Sequence, residues 1–151
     1  MAERANPKGQ CWPDEPQELL LCAALLRGED ALSAWGEWRS TVDPDSLDAG
    51  SKRLLPLLYR NLRELGVNDP LVPRLKESYR ITWSLNQSVF RQMASLLGSL
   101  HGAGIETLVL KGGALVPLYY RDYGVRPMVD FDILVREERA ETAMDLLTGL
   151  G

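Results

Sequence analysis

The chain has 151 residues, 45% apolar and 25% charged, with a net charge of −4. That is enough for one modest core, and the charge gives no nucleic-acid footprint, since no basic stripe or arginine-rich tail appears. No run approaches the ~18 apolar residues of a transmembrane helix, and the polar start lacks a signal peptide's apolar core. Cys11 and Cys22 match no metal or redox spacing, so a reducing cytoplasm is the expected location.

Residues 1–13 read as a loose tail, interrupted by Pro7, Gly9 and Pro13. Asp14-Glu15-Pro16 opens a helix with the acidic first turn and early proline that suit a helix N-terminus. Leu19, Leu20, Cys22, Ala23 and Leu26 give it an apolar face, and Gly28 is expected to close it. A second helix is expected from about Asp30, as N-cap, to Arg39. Its Leu32, Trp35 and Trp38 recur every three residues and read as core. Asp43, Pro44, Asp45 and Asp48 read as turn and cap chemistry, not catalysis.

From Ser51, Leu54, Leu55, Leu58, Leu62 and Leu65 predict an amphipathic helix stopped at Gly66. Asn68-Asp69-Pro70 restarts the chain. The longest periodic element follows, with Leu75, Tyr79, Thr82, Leu85, Val89, Met93, Leu96 and Leu100 at intervals of three or four. It predicts a helix of about thirty residues, roughly 45 Å long, with a kink or break expected near Trp83–Ser88. Arg80, Asn86, Gln87 and Arg91 read as its solvated face. His101, the single histidine, reads as a helix C-terminal residue favourable to the dipole.

Strands are expected only after Gly104. Ile105–Leu110 is β-branched and apolar, breaks at Lys111-Gly112-Gly113 and restarts as a helix, a strand–turn–helix unit. Tyr119 and Tyr120 read as core and rim of the first helix–sheet contact. In Pro127–Val135, Val129, Phe131, Ile133 and Val135 alternate with Asp130, Asp132 and Leu134. Asp130 and Asp132 thus share a strand face with Cα atoms roughly 6.5 Å apart. Carboxylates so placed can lean onto one Mg²⁺, usually held by one or two carboxylates plus substrate phosphates. Gly112 and Gly113 would open a helix whose free N–H groups suit phosphate. Lys111 can meet a triphosphate as a point charge. Arg126 can clamp a phosphate or pair with Asp130, and the spacing does not choose. A last helix begins at Arg136-Glu137-Glu138, carries Ala140, Ala143, Met144 and Leu147, and ends at Gly149 and Gly151.

Leu108–Leu115 followed by Arg126–Val135 resembles the DNA polymerase β-like nucleotidyltransferase superfamily. It is most similar to uncharacterised bacterial members with Lys-Gly in the first motif. Lys111-Gly112 stands where Gly-Ser is usual, and the gap to Asp130 is longer than in the commonest pattern. The resemblance implies an α+β fold, with a mostly helical N-terminal region leading into the start of the α/β nucleotidyltransferase core, about two strands being present. The expected organisation is tail 1–13, helical region 14–104 and partial core 105–151. The implied activity is metal-dependent transfer of a nucleoside monophosphate from an NTP, ATP by preference, to an acceptor hydroxyl.

In that reading Asp130 and Asp132 are catalytic and hold Mg²⁺ in a two-metal site, while Lys111, Gly112, Gly113 and Arg126 bind the nucleotide. No strand follows that could supply the superfamily's third carboxylate, so the chain is expected to be a fragment or truncated product of a longer protein. Its partners would be the NTP and a hydroxyl acceptor. No long nucleic acid and no membrane are expected, and the helical region offers a face for a protein. The rival reading is a non-catalytic helical interaction module with a vestigial nucleotide site.

Overall fold

The structure, a computed structural model, describes residues 12–150. The expected tail up to residue 11, Cys11 and the terminal Gly151 lie outside the described residues. The fold is mostly helical α+β, with one two-stranded antiparallel sheet. Contacts divide the chain into two compact units, residues 1–76 and 77–151.

Among its described residues the first unit holds helices and no strand. Helix α1 (Glu15–Leu25) starts in a complete capping box: Gln17 N–H donates to Asp14 Oδ1 at 2.9 Å, and Asp14 N–H donates to Gln17 Oε1 at 3.1 Å. Helix α2 (Gly28–Thr41) begins earlier than expected. Gly28 does not close α1: its φ of 62° makes the left-handed turn into α2, and Asp30 falls in the first turn instead of capping. Trp35 and Trp38 are core as expected: they stack at 5.5 Å and are buried with Ala31 and Ala34, while Leu32, expected beside them, is exposed.

Helix α3 (Ala49–Lys52) is capped by Asp48, and α4 (Leu55–Glu64) buries Leu57, Leu58 and Leu62 before Gly66 ends it at φ 70°. A side chain absent from every sequence expectation ties α1 to α4. Asn61, 2% exposed, donates from Nδ2 to the carbonyls of Ala23 (2.7 Å) and Leu26 (2.9 Å) and accepts from Arg27 (2.8 Å). The carbonyls at the end of α1 have no intrahelical donors, and Asn61 supplies them.

Helix α5 (Val72–Gly102) runs 31 residues without the break expected near Trp83–Ser88. Its inward stripe also differs from the expected one. Leu85 is exposed, and Asn86, read as solvated, is fully buried in its place. The spacing Thr82–Asn86–Val89 fits a helical stripe as well as Thr82–Leu85–Val89, so periodicity alone cannot separate them.

In the second unit, α5 leads into strand β1 (Thr107–Leu110), which pairs antiparallel with β2 (Asp132–Val135). The register sets Leu110 opposite Asp132 and Leu108 opposite Leu134. Both strands are shorter than expected, and Asp130 precedes β2. Ile133 and Val135 pack with Leu96 and Leu146 on a small core of Leu100, Ile105 and Ala143. Ala143 and Leu146 come from the last helix, which opens in a short 3₁₀ turn (Glu137–Arg139). Met144 and Tyr119, both expected to pack, are exposed.

Two predictions concern the first unit. The Ser51 hydroxyl, Ser51 N–H, Gln17 amide and Gly50 N–H hydrogen-bond to Asp48 and hold its pKa near 2, below the ordinary 3.8. A depressed folded-state pKa contributes stability that is fully present above the unfolded value and is lost as pH falls through the folded one. The melting-temperature gap between wild type and Asp48→Ala should therefore be constant above about pH 5 and close as pH falls toward about 2. Asn61→Ala strands two carbonyls and should cost about 2–3 kcal/mol in urea unfolding.

Candidate nucleotide site

The candidate site lies within the second unit, where β1 runs directly into helix α6 (Lys111–Leu115). The helical run continues as a π-helical turn over Val116–Tyr120 and stops at Arg121 in the left-handed region, φ 51°. Pro117 has no N–H to give to the carbonyl four residues back, which favours the looser turn.

The two glycines at the turn are buried because other side chains occupy the space where a Cβ would stand. At Gly113 a Cβ would lie 2.7 Å from Val109 Cγ1 and 3.2 Å from Met93 Sδ. At Gly112 it would lie 3.1 Å from Met128 Sδ and 3.4 Å from Arg126 Nε. The loop carrying Arg126 therefore lies directly over the turn that follows β1.

Lys111 has a φ of 46°. This is the left-handed region, which costs a side-chain-bearing residue roughly 1–2 kcal/mol. The sequence resemblance aligns Lys111 with a glycine, which takes this conformation freely. The lysine thus stands in glycine's backbone geometry, and its ammonium reaches Asp132 Oδ2 at 3.2 Å. Both partners are substantially exposed, at 71% and 43%, so the pair is worth no more than about 1 kcal/mol. The ion pair leaves Asp132 available to another cation.

Arg126 does not pair with Asp130. Its Nε is buried and has no hydrogen-bond partner. Asp130 is exposed and, among the described residues, has no ion-pair partner. The structure thus pairs Lys111 with Asp132 and lays Arg126 against Gly112, with Gly113 packed under Val109 and Met93 and Asp130 exposed two residues ahead of Asp132. Among the described residues no three His, Cys, Asp or Glu side chains gather as a metal-binding group.

The loop from Asp122 to Met128 is held by α5, a feature that sequence reasoning missed. Tyr79 Oη donates to Asp122 Oδ1 at 2.9 Å, and Gly124 N–H donates to the same oxygen at 2.8 Å. Asn86 Nδ2 donates to the carbonyls of Tyr123 (2.7 Å) and Arg126 (2.8 Å), and Met128 N–H donates to Asn86 Oδ1 at 3.1 Å. Phe90 meets Tyr123 edge-on at 4.9 Å. The available signal was a lone asparagine on a position compatible with the apolar stripe.

The backbone at Lys111 generates a stability prediction. Both Lys111→Gly and Lys111→Ala delete the ammonium, but only glycine relieves the positive φ. The glycine variant should be the more stable by about 1 kcal/mol in urea unfolding. Equal stabilities would mean that Lys111 is not held left-handed in solution.

Neither a curated protein nor a solved structure matches the chain significantly. The family model described as uncharacterised nucleotidyltransferase matches residues 49–151, from the first residue of α3 through the whole second unit. A strand, a Lys-Gly-Gly turn into a helix and an aspartate opposite the strand's end all fall inside the matched stretch. The chain belongs to this nucleotidyltransferase family.

Proposed function

We propose that the second unit binds an NTP together with Mg²⁺ and serves transfer of a nucleoside monophosphate to an acceptor hydroxyl. The observation that carries this reading is the pairing of Leu110 with Asp132. That register sets Asp132 beside the Lys-Gly-Gly turn, where its carboxylate pairs with Lys111, and Arg126 Nε lies beside Gly112. Cations around a glycine turn suit a polyphosphate, and a neighbouring carboxylate suits its metal.

The donor set fits Mg²⁺ of one particular kind. Two aspartates with, among the described residues, no third His, Cys, Asp or Glu gathered beside them cannot cage a bare ion. Mg²⁺ keeps several waters and is normally held by one or two carboxylates plus substrate phosphates. Asp130 and Asp132 would hold such a nucleotide-borne ion. When bound, it would neutralise phosphate charge and align the attacking and leaving oxygens.

The chain's own residues supply the rest. Lys111, freed from Asp132 when a divalent cation takes its place, would move to the β- and γ-phosphates. Arg126 Nε–H would donate to a phosphate oxygen. Glycine at 112 lets the Arg126 guanidinium pack close against the turn. In the transfer itself the acceptor oxygen would form a bond to the α-phosphorus, the bond to the bridging oxygen would break, pyrophosphate would leave, and the acceptor proton would go to a base.

Calorimetric titration of ATP, with and without Mg²⁺, into the wild type and Asp132→Asn tests this reading. Binding should need Mg²⁺ and weaken at least about tenfold in the variant, a difference of ~1.4 kcal/mol. Absence of Mg²⁺-dependent heat in the wild type would overturn it. That result, with a chain that self-associates through its leucine-rich helices, would favour a helical interaction module.

A further inference from the structure

The nucleotide reading leaves a fully buried polar side chain on α5 unexplained. Asn86 is 0% exposed, whereas Ser84, Ser88 and Arg91 on the same helix face water. Its two donor bonds and one acceptor bond all go to backbone groups of one loop, at Tyr123, Arg126 and Met128. They bracket Arg126 on both sides.

We propose that Asn86 is a positioning residue for the nucleotide site, fixing the loop so that Arg126 Nε–H lies over Gly112 and is kept free for a phosphate oxygen. The proposal rests on the nucleotide reading above. The loop needs such a residue. Pro127 has no N–H, and the residue before a proline is pushed toward extended backbone. Residues 123–128 therefore cannot satisfy themselves as a helix, and they pair with no strand. Buried backbone groups without partners are costly, and one carboxamide satisfies three of them here.

The side-chain chemistry is restrictive. Two donors and one acceptor are needed at a fixed reach from α5. Aspartate is isosteric but has no N–H to donate, and glutamine places the same group one methylene farther out. The arrangement also does more than fill space. A loop held only for stability would be expected to satisfy its guanidinium, yet Arg126 Nε is left buried and unpaired beside the glycine turn. An unmet cationic donor held beside the glycine turn is prepared for an anion.

A double-mutant cycle reads this coupling. Mg²⁺-ATP is titrated calorimetrically into wild type, Asn86→Asp, Arg126→Ala and the double variant, each shown to be folded by a cooperative urea transition. Loss of one well-aimed charge-assisted hydrogen bond should weaken binding about tenfold in Asn86→Asp. In the Arg126→Ala background the same substitution should change affinity by less than about twofold, because the group it positions is gone. If Asn86→Asp does not fold, Asn86→Gln carries the same cycle, since it keeps the amide and displaces the loop.

Equal losses in both backgrounds would make Asn86 a purely structural residue and overturn the proposal. Wild-type affinity in a folded Asn86 variant would also overturn it and leave the nucleotide reading intact. A wild type that takes up no Mg²⁺-ATP would overturn both.

Discussion

One carboxamide inside the packed face of a long helix sets the arrangement of the second unit. Asn86 gives its two N–H groups and its oxygen to backbone atoms of a loop that has no other regular partner. Each such bond is worth only about 1 kcal/mol net, but a buried backbone group left without one costs about 1–3 kcal/mol. The constraint works mainly through what its loss would expose. Neighbours on α5 extend it in chain order. Tyr79 holds Asp122, Phe90 meets Tyr123, and Met93 covers Gly113. Farther along, Leu96 and Leu100 reach the core under the sheet. A single continuous helix thus sets the loop, the turn and the sheet in sequence.

The site built on that frame is exposed where ions must exchange and buried where shape matters. Lys111 and Asp132 meet in solvent, so their attraction is weak and reversible. Gly112 and Gly113 are buried, and any added side chain would strike Val109, Met93 or Met128. Geometry is fixed by packing, while charge remains free to reorganise. The left-handed backbone at Lys111 fits this division. It places a long cationic side chain where the turn would accept glycine at lower cost, and strain of that kind persists only when its surroundings over-determine it.

Much of this was legible in the sequence, and the parts that were not share a cause. Caps at Asp14 and Asp48, stops at Gly66 and the leucine stripe of α4 are local, so a few adjacent residues specify them. The Lys-Gly-Gly turn between a strand and a helix was local too, marked by an apolar β-branched run that breaks at glycines. Asn61 and Asn86 were missed because their partners lie more than thirty residues away in the chain. An isolated asparagine carries no local mark that separates buried clamp from solvated surface. Leu85 was misplaced for the complementary reason: hydropathy favours leucine over asparagine inside, and only tertiary hydrogen bonding reverses that order. Gly28 and Asp30 erred by a few residues because a glycine serves equally at the end of one helix and the start of the next.

The same balance explains why two short strands suffice to aim a carboxylate. The sheet has unlike faces. Ile133 and Val135 lie against Leu100, Ile105 and Ala143, whereas Leu108 and Leu134, paired with each other, are more than half exposed. Hydrogen bonds alone would tolerate a slip of one residue, since every backbone group could find a partner again. Side chains would not, because a one-residue slip turns each of them to the opposite face. It would bring Ile133 and Val135 into water and press Asp132 into an apolar core. Desolvating an unpaired carboxylate costs several kcal/mol, more than two short strands gain in any alternative pairing. The hydrophobic pattern of β2 therefore fixes where the charge of Asp132 stands, and the core beneath the sheet is what keeps that carboxylate beside Lys111.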